Sequence, residues 1–154
     1  MKLSIIKNTL KPSFKYENKY LKEIVCGIDE VGRGPWAGPL VSASVIFINK
    51  NKVPEGINDS KKISKKKRLI LYKQITSIAK IGIGITSAQE IDIVGINKAT
   101  IISMERALIN QQNTATFALI DGNMKISLNI PSLNIIKGDN ISLSIAAASI
   151  VAKV

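Results

Sequence analysis

Residues 23–48, EIVCGIDEVGRGPWAGPLVSASVIFI, decide how this chain folds. Two apolar runs, EIVCGID and PLVSASVIFI, flank a glycine-rich connection. Their β-branched content and partial alternation predict two strands and a hairpin-like start. Asp29 and Glu30 stand side by side where the first run ends, and Arg33 lies between Gly32 and Gly34. Adjacent residues of a regular strand point to opposite faces. Asp29 and Glu30 therefore serve one site only if the strand ends or bulges there. The flanking glycines make such a break plausible, because glycine reaches backbone angles that other residues avoid.

Working outward, residues 1–22 are polar with scattered apolar positions and are expected to be a loosely ordered lead-in. The remainder, 23–154, is expected to form one domain. Ser64 is placed to cap a helix whose apolar positions Leu69, Tyr72, Ile75 and Ile78 recur at helical spacing. IGIGITSA, 81–88, predicts a strand approached closely on the face that Gly82 and Gly84 leave bare. Ser87 and Glu90 have the spacing of a capping box. Asn97 is expected to cap the next helix, with Ile101, Met104, Ala107 and Leu108 on one face. TFALID and SLNIIKGD predict strands ending at Asp121 and near Asp139, and ISLSIAAASIVAKV a final apolar helix.

The order β-β-α-β-α-α-β-β-α predicts an α/β fold with a mixed sheet flanked by helices. The helical pattern at 141–154 has no Gly or Pro stop. We therefore expect a fold cut short at its C-terminus, with an apolar helix face left exposed.

The chain has 154 residues and a net charge of +11, with 22 basic and 11 acidic residues and no histidine. Such a balance favours a polyanionic partner, although Lys, Asn and Ile are abundant throughout, as biased base composition alone produces. Without histidine, His-based metal sites and Ser-His-Asp or Cys-His nucleophiles are excluded. The single Cys26 cannot form an internal disulfide, which points to a reducing, cytoplasmic setting. No stretch approaches the roughly 20 apolar residues of a membrane span, and the N-terminus lacks the pattern of a signal peptide.

Asp29, Asp121 and Asp139 each follow an apolar strand-like run. An aspartate after a strand is a common turn residue. Three of them with Glu30, in a basic chain, suggest instead carboxylates that converge at strand ends. Acids brought so close repel one another unless a cation neutralises them. All-oxygen ligands select a hard ion, Mg²⁺ or Mn²⁺, suited to phosphodiester cleavage. The glycine spacing 32-34-38 matches neither the dinucleotide fingerprint nor a P-loop.

Five blocks, GIDEVGRGPWAGPLVSASVIF, NDSKKISKKKR, INKATIISMERAL, LIDGN and IIKGDNISLSIAAASIVAKV, resemble bacterial ribonuclease HII in order over about residues 24–154. The resemblance implies a ribonuclease H-like fold with a mixed five-stranded sheet flanked by helices. It implies endonucleolytic cleavage of RNA in RNA–DNA hybrids and nicking 5′ to ribonucleotides embedded in duplex DNA. It implies Mn²⁺ or Mg²⁺ held by Asp29, Glu30, Asp121 and Asp139. Gly32, Arg33 and Gly34 match the element that reads the ribose 2′-hydroxyl, the group that tells RNA from DNA. Ser60, Lys61 and Lys62 match a phosphate-contacting block; such contacts position without reading sequence. Asn97 and Thr100 are expected either as helix cap and packing or as DNA-strand contacts. Ser149 is expected in close helix packing, with support of the site as the other role. A monomer without membrane attachment is expected. The family continues past the position of Val154 with an arginine–aspartate pair and a helical region bearing a junction-stacking tyrosine. Their lack makes a weak or inactive hybrid-binding remnant the alternative expectation.

Overall fold

The computed structural model describes residues 11–32 and 38–154. Five strands form one sheet: β1 (Val25–Val31), β2 (Leu40–Phe47), β3 (Ala79–Thr86), β4 (Phe117–Asp121) and β5 (Ser132–Ile135). Four α-helices accompany them: α1 (Lys65–Ile78), α2 (Ala88–Val94), α3 (Ile96–Asn110) and α4 (Leu143–Lys153). The strand order is β3-β2-β1-β4-β5. β2 runs antiparallel to both β1 and β3, while β1, β4 and β5 are mutually parallel. The C-terminal ends of the three parallel strands thus lie along one edge.

Alternation along the strands assigns the two faces. Cys26, Ile28, Ile46, Ala118 and Ile120 join Met104 and Leu108 of α3 in one core. Ala43, Val45 and Phe47 join α1 and α4 in a second core on the opposite face. Leu119, Ile135 and Ile145 extend that face toward β5. The bare face expected at β3 is where α3 crosses: a Cβ on Gly82 would lie 1.9 Å from the Ala107 carbonyl oxygen, and one on Gly84 1.8 Å from that of Ser103. Buried polar pairs tie the same contact. Ser42 and Ser103 share a hydroxyl hydrogen bond at 2.5 Å, and Gln111 donates to the Ser44 and Lys80 carbonyls.

Four expectations change. First, the last helix is not exposed: every residue of α4 from Ser144 to Ala152 is buried. It lies directly on β1, because a Cβ on Gly27 would sit 2.1 Å from the carbonyl carbon of Ser144. Small residues at 146–148 bring helix and sheet together over the rest of the contact. Second, part of the lead-in is well packed. Ser13 bridges to Ser142, Phe14 meets Phe47 edge-on, and Tyr20 stacks on Phe117 at 4.0 Å between centroids. Glu17, only 2% exposed, accepts hydrogen bonds from the Ser142 hydroxyl and the Ser144 amide at the start of α4. A carboxylate there satisfies orphan donors and meets the positive end of the helix dipole.

Third, Asn97 does not cap α3. Gly95, at φ +84°, closes α2 and opens α3 at a single residue, so Asn97 falls inside the first turn. Only glycine adopts that angle freely, and the reversal is too tight for a side-chain cap. Fourth, α1 buries Leu71 and Ile75 with Tyr72 and Ile78 partly covered, while Leu69 is exposed. The caps at Ser64 and at Ser87–Glu90 form as expected.

The Gly27 contact gives a direct test. Gly27→Ala forces α4 away from β1 and is expected to cost about 2–3 kcal/mol of stability, an overpacking effect with backbone on the receiving side. Gly38→Ala, where no atom lies within 4 Å of the added carbon, should stay within about 0.5 kcal/mol of the parent. Urea unfolding of both variants measures the difference.

Candidate metal centre

Strand parity puts the first two carboxylates together. Gly27 and Asp29 of β1 point to the α4 face, as do Phe117, Leu119 and Asp121 of β4. The chain leaves β5, passes through Lys137 in the left-handed region (φ +53°), and makes a tight turn at Gly138–Asn140. That turn delivers Asp139. One ligand oxygen from each of Asp29, Asp121 and Asp139 lies within 4.8 Å of the other two.

Of the two expected ways for Glu30 to reach the site, a strand end or a bulge, there is no bulge against β2. β1 stays in register with β2 through Asp29↔Ala43, Glu30↔Ser42 and Val31↔Val41, with no extra residue. Glu30 therefore starts from the α3 face. The parallel pairing of β1 with β4 covers only Val25 to Ile28, so Glu30 lies beyond the end of that ladder. Glu30 lies outside the 4.8 Å group, yet it borders the same cavity, of about 500 Å³, as the three aspartates.

The carboxylates are held at a cost. Asp29 is pushed up to about 9, first by burial, then by Asp121 and Glu30, with the Glu30 amide at 2.8 Å working the other way. Asp139 rises to about 6 through burial, then Asp121 and Asp59, while Lys61 pulls it down. Asp121 is also raised by burial, against the lowering effect of the Asp139 and Gly138 amides. A pair of basic residues borders the cavity, Lys61 and Lys153. Three mutually repelling carboxylates, two buried and one partly buried, suit a hard divalent cation, whose charge removes the repulsion and replaces the lost water.

A second turn builds the wall. Asp59 caps the turn Ser60–Lys62 by accepting from the Lys61 amide at 3.0 Å. Ser149 of α4 accepts from the Ser60 amide and donates its hydroxyl to the Ser60 hydroxyl at 2.6 Å. Both serines border the cavity, so Ser149 fixes the wall as well as packing. Ser60 is buried, whereas Lys61 and Lys62 are exposed. Gly32, at φ +100°, sits at the rim; Arg33 and Gly34 lie outside the described residues. Asn97 and Thr100 belong to α3, on the far side of the sheet from the aspartates. Thr100 is fully buried, with its hydroxyl donated to the Ile96 carbonyl, which is a packing role. Asn97 is exposed, and neither borders the cavity.

Sequence reading missed Asp59, Asn140 and Lys153. Asp59 carried a signal, as an aspartate before Ser-Lys-Lys with the pattern of a turn cap. Nothing in the sequence shows that the 59–62 and 138–140 turns meet.

Comparisons with known proteins agree with this geometry. The family model described as ribonuclease HII matches residues 26–154. The ribonuclease HII of Wolbachia sp. subsp. Brugia malayi (strain TRS) is 52% identical over 143 residues, 93% of this chain and 70% of that protein. The ribonuclease HII of Rickettsia akari (strain Hartford) is 50% identical over 139 residues, 90% of this chain and 71% of that protein. Among solved structures, ribonuclease HII in the PCNA complex from Archaeoglobus fulgidus superposes with a TM-score of 0.72 at 26% identity, covering 84% of this chain and 71% of that one. Bst-RNase HIII in complex with Mn²⁺ shares the fold, with a TM-score of 0.69 at 20% identity over 84% of this chain and 50% of that one. A ribonuclease H-like sheet with carboxylates at its parallel edge, and half the sequence in common with the Wolbachia and Rickettsia proteins, lead to one conclusion: the chain belongs to the ribonuclease HII family of metal-dependent ribonucleases acting on RNA–DNA hybrids.

Proposed function

We propose that this chain cuts the RNA strand of RNA–DNA hybrids and nicks duplex DNA 5′ to embedded ribonucleotides, as a monomer in the cytoplasm. Asp29, Glu30, Asp121 and Asp139 hold Mn²⁺ or Mg²⁺ in this reading. The carrying observation is the convergence of three aspartates within 4.8 Å, Asp29 and Asp139 buried and Asp121 partly so, with Glu30 on the same cavity. That arrangement is destabilising without a cation, so a binding-only remnant gives it no purpose. The Mn²⁺ named in the RNase HIII structure is consistent with the ion type. Among the described residues, no helix is long and apolar enough to cross a membrane.

A bound ion supplies activated water and charge stabilisation at the leaving oxygen. The chain's own residues do the rest. Asp29 and Asp121 present oxygens from one sheet face, Asp139 closes the site from its turn, and Glu30 approaches from beyond the end of the β1–β4 ladder. Lys61 stands where a substrate phosphate meets the cavity. Gly32, Arg33 and Gly34 bring backbone to the ribose, where the 2′-hydroxyl is the distinguishing group.

The experiment is cleavage of a labelled duplex carrying one ribonucleotide, with Mn²⁺ or Mg²⁺. Metal-dependent nicking on the 5′ side is expected; hybrid binding by folded protein with no nicking sinks the reading. Loss of an outer-shell partner costs roughly 10–100-fold at a metal site. Asp29→Asn, which removes a ligand, should lower the rate by at least ~100-fold.

A pH experiment follows from the raised carboxyls. The folded values of Asp29 and Asp139 lie above the unfolded value of about 4. The folded, metal-free chain then holds more protons than the unfolded one, and its stability falls as pH rises from about 4 toward about 9. Melts of EDTA-treated protein should show that decline, and Asp29→Asn should flatten it. Mn²⁺ affinity should rise over the same range, with protons released on binding.

A further inference from the structure

The two lysines of the Ser60–Lys62 turn diverge. Lys61 borders the metal cavity. Lys62 instead donates from Nζ to Oδ1 of Asn140 at 2.5 Å, and Asn140 donates from Nδ2 to Oδ1 of Asp139 at 3.1 Å. The direction of this relay is fixed by chemistry. An ammonium has only donors, so the amide atom facing Lys62 must be the oxygen. The amide nitrogen is thereby left on the Asp139 side, with two hydrogens to give. The relay also joins the 59–62 turn to the 138–140 turn across 78 positions of sequence.

We propose that Lys62, acting through Asn140, is a positioning residue for Asp139. It keeps one carboxylate oxygen engaged so that Asp139 meets Asp29 and Asp121 in a single orientation. Of the phosphate contacts assigned by resemblance to Ser60, Lys61 and Lys62, this reading withdraws that of Lys62 and keeps that of Lys61. This inference rests on reading the aspartates as a metal site.

Mn²⁺ binding, followed by electron paramagnetic resonance or calorimetry, separates the possibilities. The 154-residue chain is compared with Lys62→Met, Asn140→Ala, the double variant and Lys62→Arg, each first shown by its melt to be folded. Lys62→Met and Asn140→Ala should each weaken Mn²⁺ by about 10-fold, as loss of an outer-shell partner does. The double variant should be no weaker than either single, because both break one path. Lys62→Arg, which retains a charged donor, should recover most of the affinity. In nicking assays at fixed metal, kcat should fall with KM unchanged. The inference is overturned if Lys62→Met leaves Mn²⁺ affinity intact but raises KM and reduces the salt slope of hybrid binding by about one unit, the signature of a lost phosphate contact. Additive losses in the double variant overturn it as well. Failure of the parent chain to bind Mn²⁺ overturns the metal reading itself, whereas parent binding with unchanged variants overturns this inference alone.

Discussion

The contact between α4 and β1 at Gly27 is the constraint on which the rest depends. With no side chain at 27, helix backbone rests on strand backbone, 2.1 Å from where a Cβ would stand. That closeness fixes the height of the whole helix above the sheet. Its first turn then reaches Glu17 and the turn that carries Asp139, and Ser149 near its other end reaches Ser60. A bulkier residue at 27 would lift α4 and loosen both turns that wall the cavity. Packing at Gly27 and chemistry at Asp29, two residues farther along the same strand, are a single problem.

The second constraint is electrical. The fold buries Asp29 and Asp139, at 7% and 5% exposure, beside Asp121. Few native cores accept such a cluster, and here the raised carboxyls of Asp29 and Asp139 record the strain. Positive charge lies around the cluster, in Lys61 and Lys153 at the cavity and in the exposed lysines at the start of α1. Negative charge concentrated at the strand edge and positive charge spread around it match an ion held against a polyanion.

Much of this was legible in the sequence because it is local. Strand and helix order follow from periodicity, and Asp29, Asp121 and Asp139 stand out as carboxylates at the ends of apolar runs. What the sequence hid is relational. Glu30 was expected to need a strand end or a bulge, and nothing local shows which: that β1–β4 pairing stops at Ile28 is visible only in the sheet. Asn97 looked like a cap until Gly95 turned the chain within one residue. The final helix reads as exposed because its main partners, on β1 and β2, are about a hundred positions away. Residues 11–20 read as polar lead-in because Glu17 finds its partners only at Ser142 and Ser144.

The parallel pairing of β1 with β4 joins Val25 to Phe117. Between them come β2, β3 and three helices. During synthesis the first aspartate therefore waits, on an unpaired strand edge, for most of the chain to emerge. The antiparallel β1–β2–β3 unit can assemble early, since its connections are shorter. The candidate metal centre cannot, because Asp139 arrives on the turn after β5. On the proposed metal reading, a cation would reward the finished topology and give no help to its nucleus.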